Sequence, residues 1–376
     1  MPFFKKKINT TARQNEYDRG LIFVILAIVV FGLIELLSAS GVVAYAKFGD
    51  AYYYFKHQLF GLSLGAVAFL YLARVDYHYW RKYALGFLIF SILLLLLVFI
   101  PGISADYGKA RSWINIFGYS LQPSEFVKLS FLVYLAAWLE NRKENLKDFS
   151  QGIGPFIIIL GIITFLMLLQ PDIGTLSIVA ITSLIVYFVG GGSYKHIIFI
   201  ILFGSLALAL MVHMKPYQMD RFKCLFDPET NKQDVCYQVN QSLIAVGSGG
   251  IIGRGLGDSR QKYMYLPEVS GDSIFAVIAE ETGFVFSVFL VLGYLYIFYR
   301  GYKISLYAPD DFGKILAIGI SSWVALQVII NIGGITNILP MTGVPLPLVS
   351  YGGSAILTVL AALGILVNIS KQINIK

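Results

Sequence analysis

The sequence predicts an all-α polytopic membrane protein, and three observations predict it. Of 376 residues, 57% are hydrophobic and only 14% are charged, with a mean hydropathy of +0.71, far outside soluble globular composition. The apolar residues gather in ten runs of roughly 20 residues, each long enough to cross a bilayer as a helix. Lys and Arg concentrate in alternate connections between those runs, as retained cytoplasmic cations do. No fixed-period repeat, low-complexity tract or heptad pattern marks a second domain, so 1–376 reads as one membrane domain.

The first run begins near Leu21, behind the basic flank Lys5, Lys6, Lys7, Arg13 and Arg19. That flank predicts a cytoplasmic N-terminus, and the run is too long for a signal-peptide core, so it is expected to stay as span one, 20–42. Spans two and three, 58–73 and 82–100, are joined by RVDYHYWRK. A polar loop, 101–121, precedes span four, 122–139. The charged linker ENRKENLKD leads to spans five to seven, 152–169, 174–190 and 195–213. The longest polar stretch, 214–271, comes before spans eight to ten, 272–299, 312–337 and 346–369. Ten spans return the C-terminal KQINIK to the cytoplasm and make 214–271 one large extracytoplasmic loop between spans seven and eight. Seventeen of the 29 Lys and Arg then lie inside, while seven sit in 214–271. Those seven run against the charge rule and need a reason of their own.

The stretch Gly247–Glu281 concentrates the chemistry. Arg254, Arg260 and Lys262, with Arg221 and Lys223 upstream, suit a diphosphate, because guanidinium and ammonium groups form charge-assisted hydrogen bonds to phosphate oxygens. The competing reading is a solvated basic loop against lipid headgroups. Glycine spacings in GSGGIIGRGLG resemble a nucleotide loop, but no buried strand precedes them, so Gly249, Gly250 and Gly253 read as a close backbone turn or hinge. Asp272 opens span eight, where an aspartate serves as a helix cap or, at the mouth of a low-dielectric cavity, as a general base. Glu280 lies about 12 Å deeper at 1.5 Å per residue. It reads as a structural or gating partner of a buried cation or hydroxyl.

Three further clusters fall on the same side. In GKARSWINIFGYSLQPSEFVK, 108–128, Pro123 and Glu125 suit the first turn of span four, and Glu125 and Lys128 share a helix face. Arg111 lies on the wrong side for a topological cation. QPDIGT carries Asp172 at a tight connection, as a cap or gating group. Gln327, Asn331 and LPMTGVPLPLVSYGGSA, 339–355, with Ser350 among its hydroxyls, imply non-helical backbone at membrane depth, which must be buried in protein or line a wet cavity. Cys224 and Cys236 are the two cysteines and can bond if their loop meets an oxidising compartment. No His/Cys/Asp cluster has metal-ligand spacing, and no serine has a histidine and acid beside it.

These blocks, RSWINIFGYSLQPSEFVKL, QPDIGT, GRGLGDSRQKYMYLPE, GDSIFAVIAEETGF and LPMTGVPLPLVSYGGS, resemble the SEDS family of bacterial peptidoglycan glycosyltransferases (FtsW/RodA). The match runs through nearly the whole chain, and GRGLGDSRQKYMYLPE looks closer to the FtsW branch. The resemblance implies a ten-helix enzyme of the bacterial cytoplasmic membrane that polymerises lipid II on the extracytoplasmic side. Its implied partners are a class B penicillin-binding protein and divisome or elongasome proteins, with no nucleic acid.

The family's essential aspartate, in LPE-x-x-x-D-x-I-F, falls on Asp272. Its QPSE-x-x-K motif falls on Glu125 and Lys128, and its long-loop cations on Arg221, Arg260 and Lys262. Ser270 and Gly271 stand where many members carry His-Thr, and the cysteine pair is not general. In this reading Asp272 takes the proton of the acceptor sugar hydroxyl. Undecaprenyl diphosphate leaves toward the outer cations, Arg111 and Arg254 among them, and Glu125, Lys128 and Ser350 are expected to contact the lipid II substrate. The resemblance names no certain cofactor, and a divalent cation at the diphosphate is left open. A lipid II flippase is the rival reading, since ten spans, intramembrane acids and a broken connection between spans nine and ten also suit a transporter.

Overall fold

A computed structural model of the chain describes residues 16–100, 104–107, 110–116, 119–214, 216–228 and 236–373. Of the cations counted above, Lys5, Lys6, Lys7, Arg13, Lys109, Lys215, Lys232 and Lys376 lie outside the described residues. In chain order come α1 (Arg19–Phe48), α2 (Tyr53–Arg74), a short α3 (His78–Lys82) and α4 (Ala84–Leu97). Strands β1 (Ser104–Tyr107), β2 (Ala110–Ile116) and β3 (Tyr119–Leu121) follow, then α5 (Pro123–Asn141), α6 (Gly154–Leu169), α7 (Ile173–Val189) and α8 (Tyr194–Met214). The chain continues with α9 (Pro216–Phe226), α10 (Tyr237–Ser248), α11 (Ile274–Tyr307), α12 (Asp311–Ile335) and α13 (Gly353–Lys371).

Among the described residues, six helices are long and apolar enough to cross a membrane by length and composition: α1, α2, α6 with its lead-in from Phe149, α11, α12 and α13. The chain is therefore a multi-pass membrane protein. Helices α4, α7 and the first part of α8 are apolar but shorter, and α5, 19 residues long, carries Glu125, Lys128 and Glu140. Each of the ten expected spans overlaps a helix, with shifted ends. Helices α5, α12 and α13 form the buried centre, packed by α2 on α13, α11 and α7 on α12, and α4 on α5.

Four details depart from the sequence reading. The loop 101–121 holds a three-stranded antiparallel sheet in the order β1-β2-β3, with Ser104 opposite Ile114 and Asn115 opposite Ser120, so the fold is not wholly α. Only the short alternation Ile114-Asn115-Ile116 gives a period-2 signal for β2. The stretch 214–271 is not plain loop, because α9 and α10 lie within it. Span ten is helical only from Gly353, since Pro345 and Pro347 cannot donate to a helix ladder. Span eight is helical from Ile274, so its first helical residue is not Asp272.

Helix α11 also breaks, at Gly283 (φ 74°, ψ −173°). An intact helix would pair the Glu280 and Glu281 carbonyls with the amides of residues 284 and 285. Instead these carbonyls accept from the Arg254 and Gly255 N–H groups (3.0 and 2.9 Å), and the freed Phe284 and Val285 amides donate to the Gly250 and Ile251 carbonyls (2.9 and 3.1 Å). The glycine-rich segment thus re-satisfies the broken helix, as backbone in a low-dielectric setting requires. Only glycines allow so close an approach. A Cβ on Gly249 would stand 1.9 Å from the Ala279 carbonyl oxygen, and one on Gly253 2.2 Å from that of Glu281.

Gly253 and Gly257 both have positive φ, +81° and +89°, but a Cβ on Gly257 would meet nothing within 4 Å. Gly257→Ala is expected to cost about 1 kcal/mol of backbone strain. Gly253→Ala adds overpacking against backbone and should cost at least about 3 kcal/mol in all. Thermal denaturation of the two variants in detergent checks the difference.

Candidate active site

Two adjacent carboxylates organise the segment that leads to Asp272. Both Glu280 and Glu281 are buried, and a buried carboxylate must be paired or hydrogen-bonded. Glu280 accepts from the Ser259 hydroxyl (2.6 Å), the Ser248 hydroxyl (3.2 Å) and the Arg260 and Gln261 amides (3.1 and 3.3 Å), with Arg254 Nε at 3.6 Å. Glu281 accepts from Ser38 of α1 (2.8 Å), the Gly257 amide (2.9 Å) and Lys262 Nζ (2.8 Å). The chain from 248 to 262 is thereby pinned to the upper part of α11. Glu35, one turn before Ser38 on α1, is fully buried beside this pair, and neither of its carboxylate oxygens has a hydrogen-bond partner.

Asp272 lies in the turn before α11. Its side chain caps no helix, and Ser273 holds the N-cap position. Gln238 of α10 donates to Asp272 Oδ1 (3.3 Å) and to the Ser273 hydroxyl (3.1 Å). Asn331 of α12 donates to the Asp272 carbonyl and the Val344 carbonyl, each at 2.8 Å. Gly343, with φ +76°, comes up against the carboxylate: a Cβ there would lie 3.5 Å from Oδ2. Burial, then the negative charge of Glu268, push the Asp272 carboxyl up to about 7, against the opposing pull of Arg221 and Gln238. A carboxylate with that proton affinity is suited to general-base work near neutrality.

The non-helical segment 339–352 is held by side chains from several helices. Ser350 donates to the Gly271 carbonyl (2.7 Å) and accepts from the Leu346 amide (2.8 Å). Gln58 of α2 brackets it, donating to the Ser350 carbonyl (3.1 Å) and accepting from the Gly352 amide (3.0 Å). Gln327 of α12 donates to the Pro345 carbonyl (2.9 Å) and accepts from both Trp323 Nε1 (2.9 Å) and Lys128 Nζ (2.8 Å). Lys128 also binds Glu125 at 2.8 Å, and both are buried. Its ammonium lies 5.0 Å from the Trp323 ring centroid and lines a small cavity with Thr182 and Ser183. Asp172 caps α7 through the Thr175 amide (3.1 Å) and accepts from Ser124 (2.9 Å) and Gln122 (3.1 Å), which tie it to the start of α5.

With this geometry in view, comparison with known sequences decides the family. Residues 19–375 match the sequence model of the FtsW/RodA/SpoVE cell-cycle proteins. The chain belongs to the FtsW/RodA/SpoVE family. It is 38% identical over 361 residues to stage V sporulation protein E of Bacillus subtilis, covering 96% of this chain and 99% of that one. It is 37% identical over 367 residues to a probable peptidoglycan glycosyltransferase FtsW of Trichlorobacter lovleyi, covering 96% and 95%. A solved chain from work on polymerization and crosslinking by a peptidoglycan synthase complex superposes with a TM-score of 0.76 at 28% identity, covering 94% of this chain and 97% of that chain.

The residues expected on substrate sit in different settings. Lys262, expected on the diphosphate, is buried and turned inward onto Glu281, Ser38 and the Gly257 carbonyl. Its three acceptors occupy all three ammonium donors, which leaves none for a phosphate. Ser350, expected on substrate, spends its one donor on backbone and is buried. Arg254 and Arg260 are both exposed, Arg254 drawn toward Glu280 and the Ser248 carbonyl, and Arg221 stands within electrostatic reach of Asp272. Arg111 is on β2, and its side chain lies outside the described residues.

Cys224 and Cys236 are disulfide-bonded. Among the described residues, no group of three His, Cys, Asp or Glu could hold a metal ion. Sequence reasoning missed Gln238 and Glu35. Glu35 had a readable signal, a lone acid inside an apolar run; Gln238, a neutral amide in a polar stretch, had none.

Lys262→Met strips the ion-pair partner from a buried carboxylate and is expected to destabilise the fold by about 3–5 kcal/mol. Arg260→Ala, on an exposed side chain, should stay within about 0.5 kcal/mol of the parent. Chemical denaturation in detergent measures both.

Proposed function

We propose that this chain is a peptidoglycan glycosyltransferase that polymerises lipid II, with Asp272 as its general base. Membership of the FtsW/RodA/SpoVE family and relatives named peptidoglycan glycosyltransferase support the enzyme class. The observation that carries the residue assignment is the half-buried Asp272 carboxyl, set against the bare backbone of Gly343 and touched by Gln238, with its pKa raised to about 7. Ten spans with both termini in the cytoplasm are proposed, so that Asp272 faces outside. The Cys224–Cys236 bond supports that side, because structural disulfides persist in oxidising compartments.

In the reaction, the 4-hydroxyl of the acceptor's terminal GlcNAc attacks the anomeric carbon of the donor MurNAc. The new C–O bond forms as the bond from that carbon to the diphosphate oxygen breaks, and the anomeric centre inverts to give a β-1,4 link. Asp272 takes the hydroxyl proton, and undecaprenyl diphosphate departs with the bonding electron pair. Stabilising the charge on a leaving group is commonly the largest catalytic contribution, and Arg260, which is exposed, and Arg221, near Asp272, are the cations assigned to the diphosphate. Lys128, with two of its three donors engaged, contributes through its hold on Gln327 and the 345 carbonyl. The solved relative from a peptidoglycan synthase complex supports a cross-linking partner for this chain, a class B penicillin-binding protein.

Purified protein with its co-purified transpeptidase should build glycan strands from lipid II, and Asp272→Asn should build none while still retaining lipid II. Equal strands from both would move the base elsewhere; strands from neither, with folded protein and lipid II crossing vesicle bilayers, would instead favour the flippase. The rate should rise with pH through an acid limb near 7, as Asp272 loses its proton. The same carboxyl sets a stability trend. Its folded value lies above the ordinary 3.8, so its contribution to stability is full below that pH and is lost as pH rises to about 7. Asp272→Asn is thus expected to match the parent Tm at pH 4 and to exceed it at pH 8.

A further inference from the structure

The disulfide joins the two helices that bring polar groups to Asp272. Cys224 lies near the end of α9, one turn after Arg221, and Cys236 stands just before α10, two residues before Gln238. The bond holds their Cα atoms 5.4 Å apart. Beyond it, α9 is tied to the central helices near its C-terminal end through Asn337, which follows α12 and donates to the Cys224 and Leu225 carbonyls at 3.4 and 3.3 Å. Both cysteines are buried. Helix α10, by contrast, packs along α11 and α12, and its Gln238 reaches both Asp272 and Ser273. The firm side of the site is therefore α10, and the covalent link transmits its position to α9 and to Arg221.

We infer that the Cys224–Cys236 disulfide is a positioning clamp for the proposed base, holding Arg221 of α9 near the Asp272 carboxylate that Gln238 of α10 contacts. This rests on the reading of Asp272 as the base. Reduction releases α9 from α10 with the net uptake of two electrons and two protons, which an added dithiol supplies while itself becoming a disulfide. The groups that bear on Asp272 are Arg221 from α9, Gln238 from α10, Glu268 from the preceding turn, and the uncharged Asn331 and Gly343 from α12 and the segment after it. Arg221 and Gln238 favour the ionised carboxylate and Glu268 opposes it. Slackening Arg221 while Glu268 and Gln238 stay leaves a carboxyl that holds its proton more tightly. The reduced enzyme is thus slow at neutral pH and recovers in alkali, a signature that general loosening of the fold does not produce.

The test follows the pH–rate profile of the purified enzyme with its transpeptidase partner on lipid II, oxidised, reduced with dithiothreitol, and reoxidised. The acid limb is expected to move up by about one pH unit on reduction, a loss of about tenfold in rate below the limb, and to return on reoxidation. Cys224→Ser/Cys236→Ser should behave like the reduced parent and ignore the reductant, which separates this bond from any thiol chemistry of the partner. A reduced parent with an unmoved limb, or a double-serine variant with the oxidised profile, overturns the clamp. The pH at which the parent and Asp272→Asn part in Tm follows the same carboxyl without turnover. If the oxidised parent makes no strands, the proposed function fails; the clamp still stands or falls on whether reduction shifts that pH.

Discussion

Burying two neighbouring carboxylates inside an apolar helix is the constraint on which the rest of the site depends. Glu280 and Glu281 cannot be left bare where water is excluded, and one helix face cannot supply their partners. The chain meets the demand from the preceding segment: Ser259, Arg260, Gln261 and Gly257 close onto the two acids, and Lys262 brings the countercharge. The break at Gly283 is part of the same solution, because the exchanged backbone bonds with residues 250–255 hold that segment against α11 from the other side. Lys262 is therefore a structural cation. Its proximity in sequence to Arg260 hides an opposite orientation in space.

Asp272 inherits its setting from that anchoring. The segment that leaves Lys262 has only nine residues in which to reach the turn before α11, and there Asn331 and Ser350 seize its backbone at Asp272 and Gly271. Those two residues also hold the non-helical stretch at Val344 and Leu346. A single set of hydrogen bonds thus fixes the carboxylate and the bare backbone that faces it. Lys128 and Glu125 join through Gln327 and the Pro345 carbonyl, which gives a buried ion pair remote in sequence a physical route to the geometry of the base. The pair is costly to bury on its own; its value lies in orienting Gln327.

Much of this was legible without coordinates. Pro123 and Glu125 at the head of α5, Asp172 as the cap of α7 and the non-helical stretch after α12 follow from local rules about caps, dipoles and proline. Gly249 and Gly253 were readable as sites of close backbone approach, though not what they approach. The β-sheet was missed because its three short strands lie in a loop whose polar and aromatic content masks the short alternation Ile114-Asn115-Ile116. Ser350 and Arg254 were assigned to substrate on chemistry alone and Lys262 on chemistry and resemblance together, and each is bound by groups from elsewhere in the chain.

The sequence by itself determined the membrane class, the helical runs, the family and the residue types available for chemistry, because these rest on composition, periodicity and motif spacing along one dimension. The tertiary structure decided which cations are tied to buried carboxylates. That choice depends on whether a buried carboxylate from another segment has already claimed their donors, as Glu281 claims Lys262, and the partner of a buried charge is set by packing in three dimensions.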